Sequence, residues 1–550
     1  MKKTIILFAA ACTLCTACSL DEKIRSNPLP ETYYETPEQC LTGLNACYGN
    51  IRNIYSSNEY FVICEAQTDL MYINRSDQLN GILAVTPSMP QFATAIWTQA
   101  YQGVSRVNAV EAAIMRSDMT DAQKAPLLAE ATVLRSMLYY ILTSNFGDVP
   151  FYKDEVTSKT NDRIAALPRM NADDTRDTLV NDLKYWILEK QALDMLPTND
   201  PSNSQQYRAG AALGLMLGGK MSLWNGRWSD AVDFFGALEA IYGDLSQYKV
   251  SDIRFGQRLC SESILEISNI SVDYGLHVSG SLASICTPYR KVSAHEGDDD
   301  EEQMGDQDFY DGVGIPALGS NMRTRTPLRP TKHFYGALMT VSSPDLRRSS
   351  YAADGTPIEN GGGYLAWGWP GWSDGDDRSL VKPSYKFFGS VESATGRPYL
   401  GDKFWCFGMQ YTGDSNSYKL FRYAGAVLGL AEAWFQKEDD VKACRYLNEV
   451  RTRAGLDPVT PSSFASRSEL FHEIQNEYAR ELFGEWQRKH DLVRWGVWYD
   501  YVMEYNVNGE NNTRLKRNIK PCHEYYPIPD KEVVNSGGRL DNKEYNRYGL

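Results

Sequence analysis

A chain of 550 residues with 43% hydrophobic content can bury a large core, and after the N-terminal apolar run no later one reaches the ~18 residues needed to cross a bilayer. Its formal charge of −14, from 56 Lys and Arg against 70 Asp and Glu, argues against nucleic acid as a partner, because phosphate binding rests on lysine and arginine. The 34 tyrosines and 12 tryptophans, often beside glycine, suit a surface that stacks on something flat.

The chain begins MKKTIILFAAACTLCTAC, two lysines followed by an apolar or small-residue stretch from Thr4 to Ala17. As a helix rising about 1.5 Å per residue it reaches roughly 21 Å, short of the ~30 Å hydrocarbon layer, and no cationic residue follows directly. Residues 1–17 therefore read as a signal peptide and not as an anchor helix. Thr16 and Ala17 before Cys18 resemble a lipobox, although Cys15 stands where leucine is usual. Cys12 is a weaker alternative because no polar segment follows it, and ordinary secretion with incidental cysteines is the other reading. Each buried methylene contributes about 0.8 kcal/mol, and one chain alone holds marginally, so two or three acyl chains on Cys18 give a firm membrane tether. Cleavage before Cys18 removes Lys2 and Lys3 and no acid, which takes the charge from −14 to −16.

Helices follow, and they come in pairs. PEQCLTGLNACYGNIRNIY predicts a helix over 37–55, with Thr36 as N-cap, proline in the first turn, and Cys40, Leu44, Cys47 and Ile51 at helical spacing. A second is expected over 91–115, a third over 121–145 with Leu127, Leu134, Leu138 and Ile141 on one face, and a fourth over 172–192. Gly147 and Pro150 stop the third. QYRAGAALGLMLGGKMSLWNGRWSDAVDFFGALEAIYG reads as helix, turn at Asn225-Gly226, helix, its alanines and glycines permitting close approach by the partner from which Ala231 and Phe234 face back.

The character changes over 244–417, where glycine, proline, serine, aromatics and acids carry little helical period. A loop of that length without structure is improbable, so short strands and helices are expected, such as 262–268 and 384–388. Paired helices then return: Leu420, Ala424, Val427, Ala431 and Trp434 line one, and Cys444, Leu447 and Val450 the next. A further helix is expected over 466–484, and EWQRKHDLVRWG supplies another turn or two. Pairs of this size resemble tetratricopeptide repeats, which bury a face by stacking on neighbours. Their spacing is irregular, so the expected fold is mainly α: one domain over 18–550, a degenerate repeat scaffold (37–243 and 418–504) around an irregular region (244–417) with short strands.

Beyond Cys18 lie eight cysteines, at 40, 47, 64, 260, 286, 406, 444 and 522, with no CxxC pair, and they read as buried thiols. None of the three His-Glu pairs, at 295, 472 and 523, has a second histidine four residues after the first, so no zincin motif exists. No metal or cofactor is expected, although the acidic run EGDDDEEQMGDQDFYDG leaves calcium open without following EF-hand spacing.

LFRYAGAVLGLAEAW followed by LNEVRTRAGL, then EYARELFGEWQRKHDLVRWG and YYPIPDKEV, resemble in order the signatures of the SusD/RagB family of Bacteroidota outer-membrane lipoproteins. IWTQAYQGVSRVNAV and LRSMLYYILTSNFGDVP agree in the N-terminal half. Tyr478-Ala479 and the closing NKEYNRYGL depart from the usual pattern. The resemblance implies a non-catalytic, lipid-anchored protein exposed at the cell surface, with Asp21 and Glu22 as export signal. It also implies a lid on a SusC-like TonB-dependent transporter that captures oligosaccharides, or peptides in the RagB branch; helices would face the transporter and irregular loops the ligand.

Loop residues with the right chemistry fall in three groups. GGGYLAWGWPGWSDGDD interleaves Tyr364, Trp367, Trp369 and Trp372 with glycine and proline; sugar C–H faces pack on such rings while fixed polar groups take the hydroxyls. A second group is Tyr274, His277, Tyr289 and Arg290, and a third is Asp69, Tyr72, Asn74 and Arg75. Tryptophans in a long loop also serve to pin it to the body.

Other motifs carry less. GWSDG matches the nucleophile elbow, which requires a strand before Ser373 and a helix after it, where the sequence offers a Gly-Pro-rich loop. GVGIPA mimics a dinucleotide turn without a βαβ context. Glu485, Arg488, Asp491 and Arg494, three apart, read as ion pairs within and between helices. A glycoside hydrolase with paired carboxylates and a protein-binding repeat scaffold are the competing functions; the first predicts release of reducing ends and the second binding to protein alone.

Overall fold

Helix α1 (Pro37–Tyr55) begins on a capping box. Thr36 Oγ1 accepts from the Gln39 amide at 3.4 Å, Gln39 Oε1 accepts from the Thr36 amide at 3.0 Å, and Pro37 occupies the first turn. Cys40, Leu44, Cys47 and Ile51 form its buried face. The computed structural model describes residues 34–73, 85–190, 196, 208–269, 280–287, 327–340, 342–352, 356–366, 368–372, 383–387, 398–406, 412–506 and 518–550.

After α1 come α2 (Asn58–Glu65), α3 (Ala93–Arg116), α4 (Asp121–Phe146) and α5 (Ala172–Leu183). α1 packs on α3 and α3 on α4. Every residue from Leu127 to Phe146 is buried, which makes α4 a central helix enclosed on all sides. The helix expected over 172–192 departs from α geometry early: after Leu183 the ladder widens into a π-helical turn, Lys184–Glu189.

The next pair, α6 (Ala211–Trp224) and α7 (Trp228–Tyr242), turns at Gly226, whose φ of 69° is a left-handed conformation that favours glycine. α7 packs on α6 and on α8 (Tyr423–Gln436). A Cβ at Gly218 would lie 2.6 Å from the Phe234 ring, while the Phe235 ring is wedged between Gly219 of α6 and Gly429 of α8. Gly429→Ala gains about 1 kcal/mol of helix propensity but forces a methyl into a ring held on both sides, so a net loss of roughly 1–2 kcal/mol is expected on chemical unfolding. The helical part closes with α9 (Asp440–Arg453), α10 (Arg467–Glu481), α11 (Arg488–Arg494) and α12 (Trp498–Tyr505). The fold is mainly α, and no described helix is long and apolar enough to cross a membrane.

Eight strands are described, each in an antiparallel pair. They are β1 (Met71–Ile73), β2 (Ser263–Ser268), β3 (Leu328–Pro330), β4 (Leu365–Ala366), β5 (Gly368–Trp372), β6 (Pro383–Phe387), β7 (Tyr399–Leu400) and β8 (Ser417–Arg422). β1 pairs with β3, β2 with β8, β4 with β7, and β5 with β6. β8 runs directly into α8, joining the β2–β8 ribbon to the paired helices.

Candidate functional site

Four short strands converge on a platform. The β1–β3 register is Met71↔Pro330, Tyr72↔Arg329 and Ile73↔Leu328, so the end of β1 lies beside the start of β3. β7 packs against β3 and pairs with β4, and the Arg329 guanidinium lies 3.5 Å over the Tyr399 ring, a cation–π contact between the two ladders. β5 begins two residues after β4 ends. The short helix Leu282–Cys286, after which Tyr289 and Arg290 follow, also packs on β3. The attachment points of all three sequence-predicted groups are thus brought to one platform.

The base of β1 is held to the helices. Arg488 Nε and Nη2 donate to the two Asp69 carboxylate oxygens at 2.9 and 2.6 Å, a bidentate pair with both side chains buried. Asn506 Nδ2 donates to the Ala66, Thr68 and Met71 carbonyls, Trp498 Nε1 to the Gln67 carbonyl, and Thr331 Oγ1 to the Asp69 carbonyl. The His333 ring stacks on Tyr505 at 4.0 Å, and its burial lowers the imidazole pKa.

A larger buried network fastens the β4–β7 side. Arg347 donates to Asp345, to Glu477 at 2.7 Å and to Glu481 at 2.9 Å. Arg422 donates to Glu262 at 2.8 Å, Glu481 at 3.0 Å and Glu485 at 2.9 Å. Arg453 bridges Glu262 and Glu481. Lys403, just past β7, donates to Glu485 Oε1 and to the Phe483 carbonyl, both at 2.7 Å. Arg347, Arg422, Lys403 and their carboxylate partners are wholly buried.

The structure corrects one site expectation outright. Tyr364 is wholly buried, its hydroxyl donates to the Glu481 carbonyl at 2.8 Å, and the Lys403 ammonium sits 4.4 Å over its ring, so it anchors the platform and offers a ligand no surface. Asp69 is likewise consumed by Arg488, and Tyr72 is only 4% exposed. Trp369 and Trp372 lie on β5, in register with Lys386 and Pro383. Trp367, Asn74, Arg75, Tyr274, His277, Tyr289, Arg290 and Cys18 lie outside the described residues, as do GVGIPA and the acidic run. Sequence reasoning missed Arg329 and Tyr399, whose pairing depends on the contact of two ladders.

The GWSDG motif can be placed in part. A strand does precede Ser373, against the expectation of a loop, but it returns antiparallel at Pro383 and so belongs to a β-hairpin, not to the strand–turn–helix of a nucleophile elbow. Among the described residues no group of three or more His, Cys, Asp or Glu side chains is placed to hold a metal ion. The described cysteines are buried thiols outside any disulfide, and burial pushes Cys47 up to about 12 and Cys260 to about 11, far from nucleophilic thiolates. Asp491 and Arg494 pair within α11 at 2.9 Å, and Arg494 also pairs with Glu432 of α8.

A family model described as "Starch-binding associating with outer membrane" matches residues 29–212, and one described as "SusD family" matches 407–545. The chain belongs to the SusD/RagB family. SusD-like protein P25 of Formosa agariphila is 22% identical over 96% of both chains. A SusD homolog from Bacteroides thetaiotaomicron shares the fold with a TM-score of 0.68 at 17% identity, over 92% of this chain and 97% of that one. Surface glycan-binding protein A from Bacteroides thetaiotaomicron in complex with laminarihexaose gives 0.62 at 19% identity, over 92% and 99%. Within this SusD-like fold the departure at Tyr478 is absorbed by packing: the residue is buried and meets Trp495 edge-on at 5.3 Å.

Proposed function

We propose that this chain is a surface-exposed, outer-membrane lipoprotein, anchored through Cys18, that captures oligosaccharides and delivers them to a SusC-like TonB-dependent transporter without catalysis. The observation that carries the reading is the end-to-end fold shared with surface glycan-binding protein A, a protein solved with laminarihexaose. The outer-membrane association named in one matching family supports the location, and the platform supports the division of labour, since a rigid scaffold presents segments rich in aromatic residues. Delivery to a transporter rests on family membership.

Affinity electrophoresis against a polysaccharide panel that includes laminarin and starch tests the reading: retardation by at least one glycan is expected, and retention only on peptide or protein matrices contradicts it. For the site, Trp369→Ala is expected to weaken glycan binding about tenfold to a hundredfold, the worth of an anchor ring at about 1–3 kcal/mol. Calorimetry on that variant and on Trp372→Ala checks this, and unchanged affinity in both removes β5 from the site.

A further inference from the structure

We infer, resting on the glycan-capture reading above, that the captured glycan is acidic and that Arg329 of β3 receives its carboxylate or sulfate groups. Arg329 stands where two ladders meet. It lies opposite Tyr72 in the β1–β3 register, and its guanidinium sits 3.5 Å over the Tyr399 ring of β7. A guanidinium held by its face on a ring is fixed in direction, while the edge that carries the terminal N–H groups stays available to an acceptor. β7 pairs with β4, and β5, which carries Trp369 and Trp372, begins two residues after β4 ends.

The charge of Arg329 goes unanswered by the protein. Acids outnumber Lys and Arg by 70 to 56, so a carboxylate is the expected neighbour of any half-buried cation in this chain. The other cations that fasten the platform all have one: Arg488 meets Asp69, Lys403 meets Glu485, and Arg347, Arg422 and Arg453 share Glu481. Arg329 is half-buried, and among the described residues neither a carboxylate nor a hydrogen-bond acceptor pairs with its side chain. Its Nε is covered, so the two terminal nitrogens are the part of the fork that solvent reaches.

A half-buried guanidinium has given up part of its hydration, and without a counter-charge that loss is not recovered. An anion from outside recovers it. Hydroxyls of a neutral sugar accept from N–H groups but leave the charge standing, whereas a carboxylate or a sulfate ester offers paired oxygens that match the fork and neutralise it. Uronate-containing and sulfated oligosaccharides share this chemistry.

Affinity electrophoresis of the mature protein in gels carrying polygalacturonate, carrageenan, laminarin or starch tests the inference, with Arg329→Gln, Arg329→Lys and Tyr399→Leu run alongside. Polygalacturonate and carrageenan separate carboxylate from sulfate as the recognised group. At least one of them is expected to retard wild type more than either neutral glycan, less so in high salt. Arg329→Gln is expected to lose about tenfold or more in affinity for that polymer, and Arg329→Lys, which keeps the charge without the fork, to lose less. Tyr399→Leu breaks the same cation–π contact but keeps the charge, so it retains the preference for the acidic polymer. Retardation by neutral glycans and by neither acidic polymer overturns the inference and leaves the capture reading standing; retardation by no glycan removes both. Acidic-glycan binding that is unchanged in Arg329→Gln, or lost equally in Tyr399→Leu, overturns it as well, the second outcome making Arg329 only a tie between the ladders.

Discussion

Glu481→Gln is expected to lower the unfolding free energy by about 3–5 kcal/mol, the usual effect of breaking a buried ion pair from one side. Glu481 is wholly buried and accepts from Arg347 at 2.9 Å, from Arg422 at 3.0 Å and from Arg453. An amide of the same shape cannot neutralise three guanidinium groups, and its NH₂ turns a donor toward donors. Burial alone would push the Glu481 carboxyl up; Arg453, Arg422 and Arg347 more than reverse this and hold it far below the usual carboxylate range. A depressed pKa contributes stability that is present above the unfolded value near 4.5 and lost as pH falls through the folded value. The advantage of wild type over the variant is therefore full at pH 7 and shrinks below about pH 4.5. Urea unfolding followed by circular dichroism checks both statements, and a deficit under about 1 kcal/mol at pH 7 contradicts them. Since the same network holds Tyr364 and Lys403, which flank the β4–β7 pair, the variant is also expected to bind glycan more weakly.

Glu65→Gln is expected to act in the opposite direction. Glu65 ends α2 and is wholly buried, and no described side chain pairs with its carboxylate at hydrogen-bond distance. Burial pushes its carboxyl up to about 8, with a smaller push from Glu485, offset only in part by the charge of Lys403 and by the backbone amides of Trp486 and Gly484. The folded chain thus keeps a proton that the unfolded chain releases near pH 4.5. Between about pH 4.5 and 8 wild type loses stability as pH rises, at up to ~1.4 kcal/mol per unit. Glutamine removes the titration, so the variant is expected to match wild type near pH 4 and to exceed it by a few kcal/mol, about 2–4, at pH 8. Chemical unfolding at the two pH values decides, and equal differences at both contradict the assignment.

Legibility in the sequence followed the physics of each element. The predicted limits of α1 coincide with the observed ones because a capping box, a first-turn proline and four core residues at helical spacing all act within one segment. α2 went unread: NEYFVICE is eight residues long and buried over six of them, so it shows no polar face and no period. Tyr364 was misread because a tyrosine in a Gly-rich stretch looks alike whether it faces a ligand or the carbonyl of Glu481, more than a hundred residues away. Asp491 and Arg494 were legible as a pair because they sit three apart on one helix, whereas Arg422 finds Glu262 across 160 residues. The candidate groups were chosen for side-chain chemistry; their convergence on one platform depends on the β1–β3 and β4–β7 registers, which no local signal announces.

The account rests on glycan capture without turnover, and one paired assay tests that most directly: calorimetric titration of the mature protein with the polysaccharide that retards it most, then a reducing-end assay on the same sample. Saturable heat with no new reducing ends is the predicted result. Accumulating reducing ends, or heat with peptides and none with any glycan, would contradict it.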